Sequence, residues 1–250
     1  MKTAERFSNR VDNYIRFRPG YPEAMLEVFR DEMGLSPQSV IADIGCGPGQ
    51  SSLPFLKFGC RVFGVEPNDL MRKAAAEILA EYELFEAVEG SAHATGLSEN
   101  SVDIAVAAQA FHWFNDAETA AEFGRILKPG GFAALIWNER QLGTTPFLRE
   151  YEALLLKFGT DYESVRHDAI KPADLARVFG KEFRLASYPN VQVLDLEGVK
   201  GRLMSSSYTP AQDDPRFGPM IENLESIFAE HNESDRIRIL YDTNVFYTQY

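Results

Sequence analysis

Three glycines spaced two apart, Gly45, Gly47 and Gly49, follow the apolar run Val40-Ile41-Ala42-Asp43-Ile44 and lead into Gln50-Ser51. A strand ending this way passes into a helix through a turn whose bare backbone a ligand can approach closely. A second apolar run, Cys60-Arg61-Val62-Phe63-Gly64-Val65, ends on Glu66, twenty-one residues after Gly45. A carboxylate at that spacing can accept hydrogen bonds from both ribose hydroxyls, so turn and acid together suit an adenosine-bearing ligand. The phosphate-gripping dinucleotide turn carries its third glycine one residue later, where this chain has Gln50.

A further set of reactive side chains follows the fourth apolar run, in Gln109-Ala110-Phe111-His112-Trp113-Phe114. His112 is suited to removing a proton from an acceptor or orienting it, and Trp113 to forming an apolar wall beside a cation. Arg18, in Tyr14-Ile15-Arg16-Phe17-Arg18-Pro19-Gly20-Tyr21-Pro22, offers a planar fork that matches a carboxylate. His93, His112, His167 and His231 show no metal-ligand spacing with one another or with the cysteines, so no bound metal is expected.

The elements that must position these residues follow from periodicity. Between Val40 and Trp137 short β-branched runs alternate with helical patterns, the sign of a parallel sheet covered on both faces. Strands are predicted at Val40 to Ile44, Arg61 to Val65, Phe85 to Glu89, Val102 to Ala107 and Phe132 to Trp137. Asn68-Asp69 opens one helix, and Asn115-Asp116 opens another that runs to Leu127 and stops before the turn Lys128-Pro129-Gly130-Gly131. Met25, Leu26, Phe29 and Met33 predict a helix ahead of the first strand, with Gly34 as its terminator. Beyond Trp137 the reading is helix at Phe147 to Phe158, extended chain at Phe183 to Val193, and helices at Leu196 to Leu203 and Met220 to His231. An antiparallel strand at Ile237 to Thr248 completes it. With no repeat or dividing linker, one domain over 1–250 is expected, with a cofactor-binding core at 40–137 and a less regular cap and substrate region at 141–235.

Bulk properties narrow the partners. The chain has 250 residues, 45% of them hydrophobic, enough for a sizeable core. No window approaches the roughly twenty apolar residues of a membrane span, and Met1-Lys2-Thr3-Ala4-Glu5-Arg6 lacks the apolar stretch of an export signal. A net charge of −12 opposes binding to nucleic acid, although local arginines can still hold an anionic small molecule. Cys46 and Cys60 read as buried, unpaired thiols, which fits a reducing cytoplasm.

With strand, glycine turn, acid and Lys-Pro-Gly-Gly in order, residues 40–137 resemble the core of a class I S-adenosylmethionine-dependent methyltransferase. The segments from Tyr14 to Pro22, Ala110-Phe111-His112-Trp113-Phe114, Ser205-Ser206-Ser207-Tyr208-Thr209-Pro210 and Tyr241-Asp242-Thr243 are similar to signatures of the trans-aconitate methyltransferase-like branch. That branch contains small-molecule methyltransferases, some acting on carboxylates. The resemblance implies a three-layer, Rossmann-like α/β fold with a seven-stranded, mostly parallel sheet of order 3-2-1-4-5-7-6 and one antiparallel strand. It also implies lid elements, residues 1–25 carrying Tyr14 and Arg18 over the cofactor and inserted helices later in the chain. By the same pattern Gly45, Cys46, Gly47 and Gly49 approach the methionine part of S-adenosylmethionine, and Asp43 lies beneath its amino group. Glu66 then holds the ribose, Asn68 and Met71 flank the adenine, and Ser91, Ala92, His93 and Gln109 complete the cofactor set. Ser91 stands where the family commonly has aspartate; a hydroxyl can accept the same hydrogen bond without charge assistance.

The expected activity is methyl transfer to a small acceptor, by O-methylation of a carboxylate or hydroxyl, with His112 and Trp113 at the reacting end. In place of the Asn/Asp-Pro-Pro-aromatic run of nucleic-acid aminomethyltransferases the chain has Ala108-Gln109-Ala110-Phe111, which favours a small acceptor. Two rivals stand beside it, an NAD-dependent oxidoreductase, which Gln50 disfavours, and a non-catalytic cofactor-binding module. The protein is expected as a monomer or homodimer.

Overall fold

The computed structural model describes residues 15–111, 116–162 and 172–250. Alternation along the apolar runs decides which side of the sheet each residue serves. Ile41 packs with Met25, Phe29, Phe55 and Val62 on one face, while its neighbour Ala42 joins Val65, Phe123 and Ile126 on the other. Ala134 and Ala133, then Val245 and Phe246, divide in the same way. A strand with apolar residues at both parities must be covered twice, and helices supply both covers.

A 3₁₀ turn at Glu23–Met25 leads into α1 (Leu26–Met33), which ends at Gly34 with φ 68°. Alternation then gives β1 (Val40–Ile44), α2 (Ser52–Phe58), β2 (Arg61–Val65), α3 (Asp69–Ile78), β3 (Phe85–Val88), β4 (Val102–Ala108), α4 (Ala117–Ile126) and β5 (Leu127–Arg140). The remainder is α5 (Pro146–Phe158), α6 (Pro172–Phe179), β6 (Arg184–Leu194), α7 (Leu196–Met204), α8 (Phe217–His231) and β7 (Ile237–Gln249). The sheet has seven strands in the order β3-β2-β1-β4-β5-β7-β6. The β1–β2, β1–β4, β2–β3 and β4–β5 pairs are parallel, and β7 runs antiparallel to both β5 and β6. The expected Rossmann-like architecture is the one observed.

Helix starts follow local chemistry. Asn68, Asp116, Thr145 and Asp195 each accept a hydrogen bond from a first-turn N–H, at Met71, Thr119, Leu148 and Gly198. Caps of this kind stabilise a helix by about 1 kcal/mol each.

One expectation needs correction. Lys128 to Gly131 is not a separate turn ahead of the fifth strand but an irregularity inside β5. Leu127 already pairs with Val102, and the next pair, Ile104 with Phe132, leaves the intervening chain bulged out. Lys128 Nζ reaches both Asp103 carboxylate oxygens at 2.9 Å, and Asp103 Oδ2 accepts Val40 N–H at 2.8 Å, which pins the bulge to the start of β1. The sequence reading also passed over α6, whose Leu175 and Phe179 enter the core beside Phe111 and Phe123. A third apolar cluster unites α5, α7 and α8 with the first half of β7, through Tyr151, Leu155, Leu203, Leu224 and Tyr241. No helix among the described residues is long and apolar enough to cross a membrane.

Candidate functional site

The four parallel pairs bring the carboxyl ends of β1, β2 and β4 to one edge of the sheet, the edge at which open α/β sheets bind ligands. After Ile44 the chain takes left-handed conformations at Gly45, Gly47 and Gly49, with φ of 71°, 55° and 89°. Gly45 N–H and Cys46 N–H both donate to Val65 O, at 2.8 and 3.3 Å, folding the turn against the end of β2. Among the described residues nothing lies within 4 Å of where a Cβ on Gly47 would stand, so they leave this part of the turn open. Gly49 has the opposite surroundings, since its Cβ would come within 2.5 Å of Leu79 Cδ1. Gly49→Ala combines that overlap with a disfavoured φ and should cost about 2 to 3 kcal/mol. Urea unfolding checks it, and an unaltered midpoint would overturn it.

Asp43 is fully buried on β1. Its Oδ2 accepts Ser51 Oγ at 2.6 Å and Ser52 Oγ at 2.7 Å, both from the start of α2. Its Oδ1 has no hydrogen-bond partner among the described residues. Burial pushes the carboxyl up to about 6 despite the two hydroxyls, and neighbouring Glu66 adds to the rise. A buried acceptor left open beside a ligand-facing turn is the arrangement that a donor on a ligand would complete.

Glu66 binds the turn directly. Its Oε2 accepts Gly47 N–H at 3.0 Å and its Oε1 accepts Asn68 N–H at 2.9 Å. Burial raises its carboxyl, opposed by those two N–H groups and by Arg72, whose Nη1 donates to Glu66 O at 3.1 Å. Each carboxylate oxygen can accept a second hydrogen bond, so capacity remains for a diol. Asn68 spends its side-chain oxygen on Met71 N–H at 3.1 Å as the cap of α3, and Met71 is buried. Cys46 is buried as well, and burial holds its thiol well above the usual range.

Ser91 and Ala94 exchange backbone hydrogen bonds of 3.0 and 3.2 Å, closing a small loop that carries a buried Ala92. Thr95 anchors it, donating from N and Oγ1 to Glu122 Oε1 at 2.8 and 2.6 Å. His93 instead meets Asp116 through Nε2 at 2.8 Å on a partly exposed surface. Gln109 follows β4 with φ 54°, its N–H on Ile136 O and its Nε2 on Asn138 O at 3.0 Å. A non-glycine residue held at positive φ at a strand end redirects the chain that follows it. His112, Trp113 and Tyr14 lie outside the described residues. Phe111 is core, stacked on Phe179 at 5.3 Å.

The segment from Ile15 crosses the same edge and is held by its carbonyls. Gln50 Nε2, next to the glycine turn, donates to Ile15 O at 3.1 Å, and Gln192 Nε2 to Phe17 O at 2.9 Å. Asn138 and Asn190 both donate to Gly20 O, at 3.1 and 2.9 Å. Arg18 points to the cap, with Nη2 on Ser205 O at 3.0 Å. Arg18 stands out in the sequence by its guanidinium chemistry, whereas these amide donors do not, because residues that bind a backbone carbonyl leave no motif. It also missed Arg140 and Tyr151, which packing brings to Arg202 and Tyr241. His231, Glu150 and Glu230 likewise converge between α5 and α8, a grouping that sequence spacing did not reveal.

The sheet order and the glycine turn after β1 are those of a Rossmann-like α/β fold. The methyltransferase domain family matches residues 42–135, from β1 into β5. A Mycobacterium bovis protein, the uncharacterized methyltransferase Mb3374, is 30% identical over 82% of this chain and 79% of its own length. The Schizosaccharomyces pombe methyltransferase-like protein C25B8.10 is 28% identical over 96% of this chain and 93% of its own length. A solved structure of a candidate type II methyltransferase from Anaeromyxobacter dehalogenans superposes with TM-score 0.66 over 93% of this chain and 98% of its own, at 22% identity, a likeness of fold. The chain belongs to the class I S-adenosylmethionine-dependent methyltransferases and is an enzyme of that family.

Proposed function

We propose that this methyltransferase binds S-adenosylmethionine on the turn from Gly45 to Gly49 and transfers its methyl group to an oxygen of a small acceptor, a carboxylate or a hydroxyl. The observation that carries the reading is the pairing of Glu66 with Gly47 N–H beside the open Oδ1 of buried Asp43. A ligand with an ammonium group near one carboxylate and a ribose diol near the other matches both acceptors. S-adenosylmethionine supplies, when bound, an electrophilic methyl carbon on a cationic sulfur.

The protein's own part is alignment and exclusion of water. Asp43 receives the ammonium end and Glu66 the ribose; Asn68 and Met71 border the adenine, and Ser91, Ala92 and His93 close its far side. Cys46 and Gly49 complete the turn, Gln109 directs the chain after β4, and Tyr14 and Arg18 belong to a lid formed by residues 1–25 over the core at 40–137. The sequence pattern assigns His112 and Trp113 to the acceptor end; a carboxylate needs no base, whereas a hydroxyl would draw on His112. The trans-aconitate-like signatures and the acidic chain favour a carboxylate-bearing metabolite over nucleic acid. Two free, buried cysteines fit a cytoplasmic setting.

Calorimetry with S-adenosylhomocysteine, together with labelled methyl transfer to a panel of acids and alcohols, tests the proposal. Binding and a base-labile, methanol-releasing product are expected. Absence of binding would remove the cofactor assignment, and a base-stable product would replace the carboxylate with a hydroxyl.

A further inference from the structure

Among the described residues, cap and sheet edge enclose an excess of buried positive charge. Arg202 on α7 is 8% exposed; its Nε donates to Tyr241 Oη at 3.3 Å and its Nη1 to Ser206 Oγ at 3.0 Å. No carboxylate pairs with it among the described residues. Arg140, at the end of β5, has a side chain 10% exposed. Its Nη2 meets Glu152 and Tyr162 Oη, and its Nη1 has no partner among the described residues. The Arg140 guanidinium lies 5.1 Å from the ring centre of Tyr151, which is 2% exposed and whose hydroxyl is also unpartnered among the described residues. Tyr151 interacts electrostatically with Arg140, Arg202, Tyr208 and Tyr241, so these groups form one cluster. Glu152, already shared by Arg140 and Tyr162, is its paired acid.

Buried guanidinium that lacks a counter-charge is costly to keep, and its fixed fork of donors matches a carboxylate or phosphate. The cluster also lies on the edge that carries the glycine turn. β5 runs parallel to β4 and continues past the Ala108–Ile136 pair to Arg140. The Ile15 segment spans the gap: Ile15 O is held by Gln50 beside the turn, and Arg18 by Ser205 one residue after α7. Ile15 and Arg18 are one helical turn apart, about 5 Å along the chain.

We infer that Arg140, Arg202 and the Tyr151 hydroxyl form an anion-binding subsite that anchors a carboxylate or phosphate group of the acceptor, separate from the atom that is methylated. The inference rests on the methyl-transfer reading for its role, while the binding itself can be measured alone. A purely structural cluster would lose stability on mutation without acquiring any dependence on anions.

The test titrates succinate, inorganic phosphate and, as a control at matched ionic strength, sodium chloride into the full chain saturated with S-adenosylhomocysteine. Arg202→Lys and Tyr151→Phe serve as variants, with urea unfolding to verify that each is folded. Succinate or phosphate should bind the parent protein, and each folded variant should bind about tenfold or more weakly, as expected for loss of a charge-assisted or buried hydrogen bond. S-adenosylhomocysteine affinity should be unchanged. Preference for succinate identifies a carboxylate group, and preference for phosphate a phosphoryl group. Binding no stronger than chloride's, or equal binding by the folded variants, would overturn the subsite. Anion binding without S-adenosylhomocysteine binding would leave the subsite standing and remove only the methyl-transfer reading.

Discussion

Glu66→Ala should weaken S-adenosylhomocysteine binding by about 1.5 to 3 kcal/mol, roughly ten- to 150-fold in affinity. Two losses contribute. The carboxylate no longer accepts from the ribose, and Gly47 N–H and Asn68 N–H lose the acceptors that set the turn and the start of α3. Glu66→Gln separates shape from charge. Both carboxylate oxygens already accept a backbone N–H, so an amide must turn its NH2 toward one of those donors, and binding should fall there too. Calorimetry on both variants checks this, with urea unfolding to measure the structural share. An affinity equal to the parent's in both would exclude Glu66 from the site.

Asp43 should make both stability and ligand binding depend on pH, in opposite directions. Its carboxyl titrates at about 6 in the folded protein against a reference of 3.8, mainly because it is buried. Between those values the folded protein retains a proton that the unfolded chain has released. The stabilisation is therefore complete below pH 3.8 and is lost as pH rises through about 6, a change on the order of 3 kcal/mol for this group. An ammonium group at the open oxygen favours the ionised carboxyl, so S-adenosylhomocysteine should bind more tightly at pH 7 than at pH 5, with proton release on binding at the lower pH. Asp43→Asn should abolish both dependences while leaving an acceptor for Ser51 and Ser52. Calorimetry in buffers of different ionisation enthalpy reads the released proton directly. Equal proton release by parent and variant would show that another group is titrating.

Legibility in the sequence followed the locality of the cause. β1 and β2 occupy the predicted residues, because a short β-branched run ended by a glycine or an acid has few other ways to fold. Glu66 and the glycine turn were readable for a related reason: a fixed spacing across one strand–helix–strand unit forces them together. β5 extends well beyond Phe132 to Trp137 because its outer pairs come from β4 and from β7, more than one hundred residues away in the chain. A sequence window cannot contain such a partner. α6 is only eight residues long, so its helical period had little length in which to emerge. Ser205 and Tyr208 lay in a segment that the family resemblance picked out, but Arg140 sat unnoticed at the end of an apolar strand. Its meeting with Tyr151 and Arg202 is a product of cap packing alone.

The position of β7 between β5 and β6 has a consequence for how the molecule is made. β1 to β5 can pair as soon as Arg140 has been synthesised, since all their neighbours up to that point lie upstream. β6 has no such partner; its one neighbour in the sheet begins at Ile237, about forty residues later. A ribosome-bound chain therefore completes the β1–β5 half first and carries β6 as an unpaired ribbon until β7 emerges to join the halves.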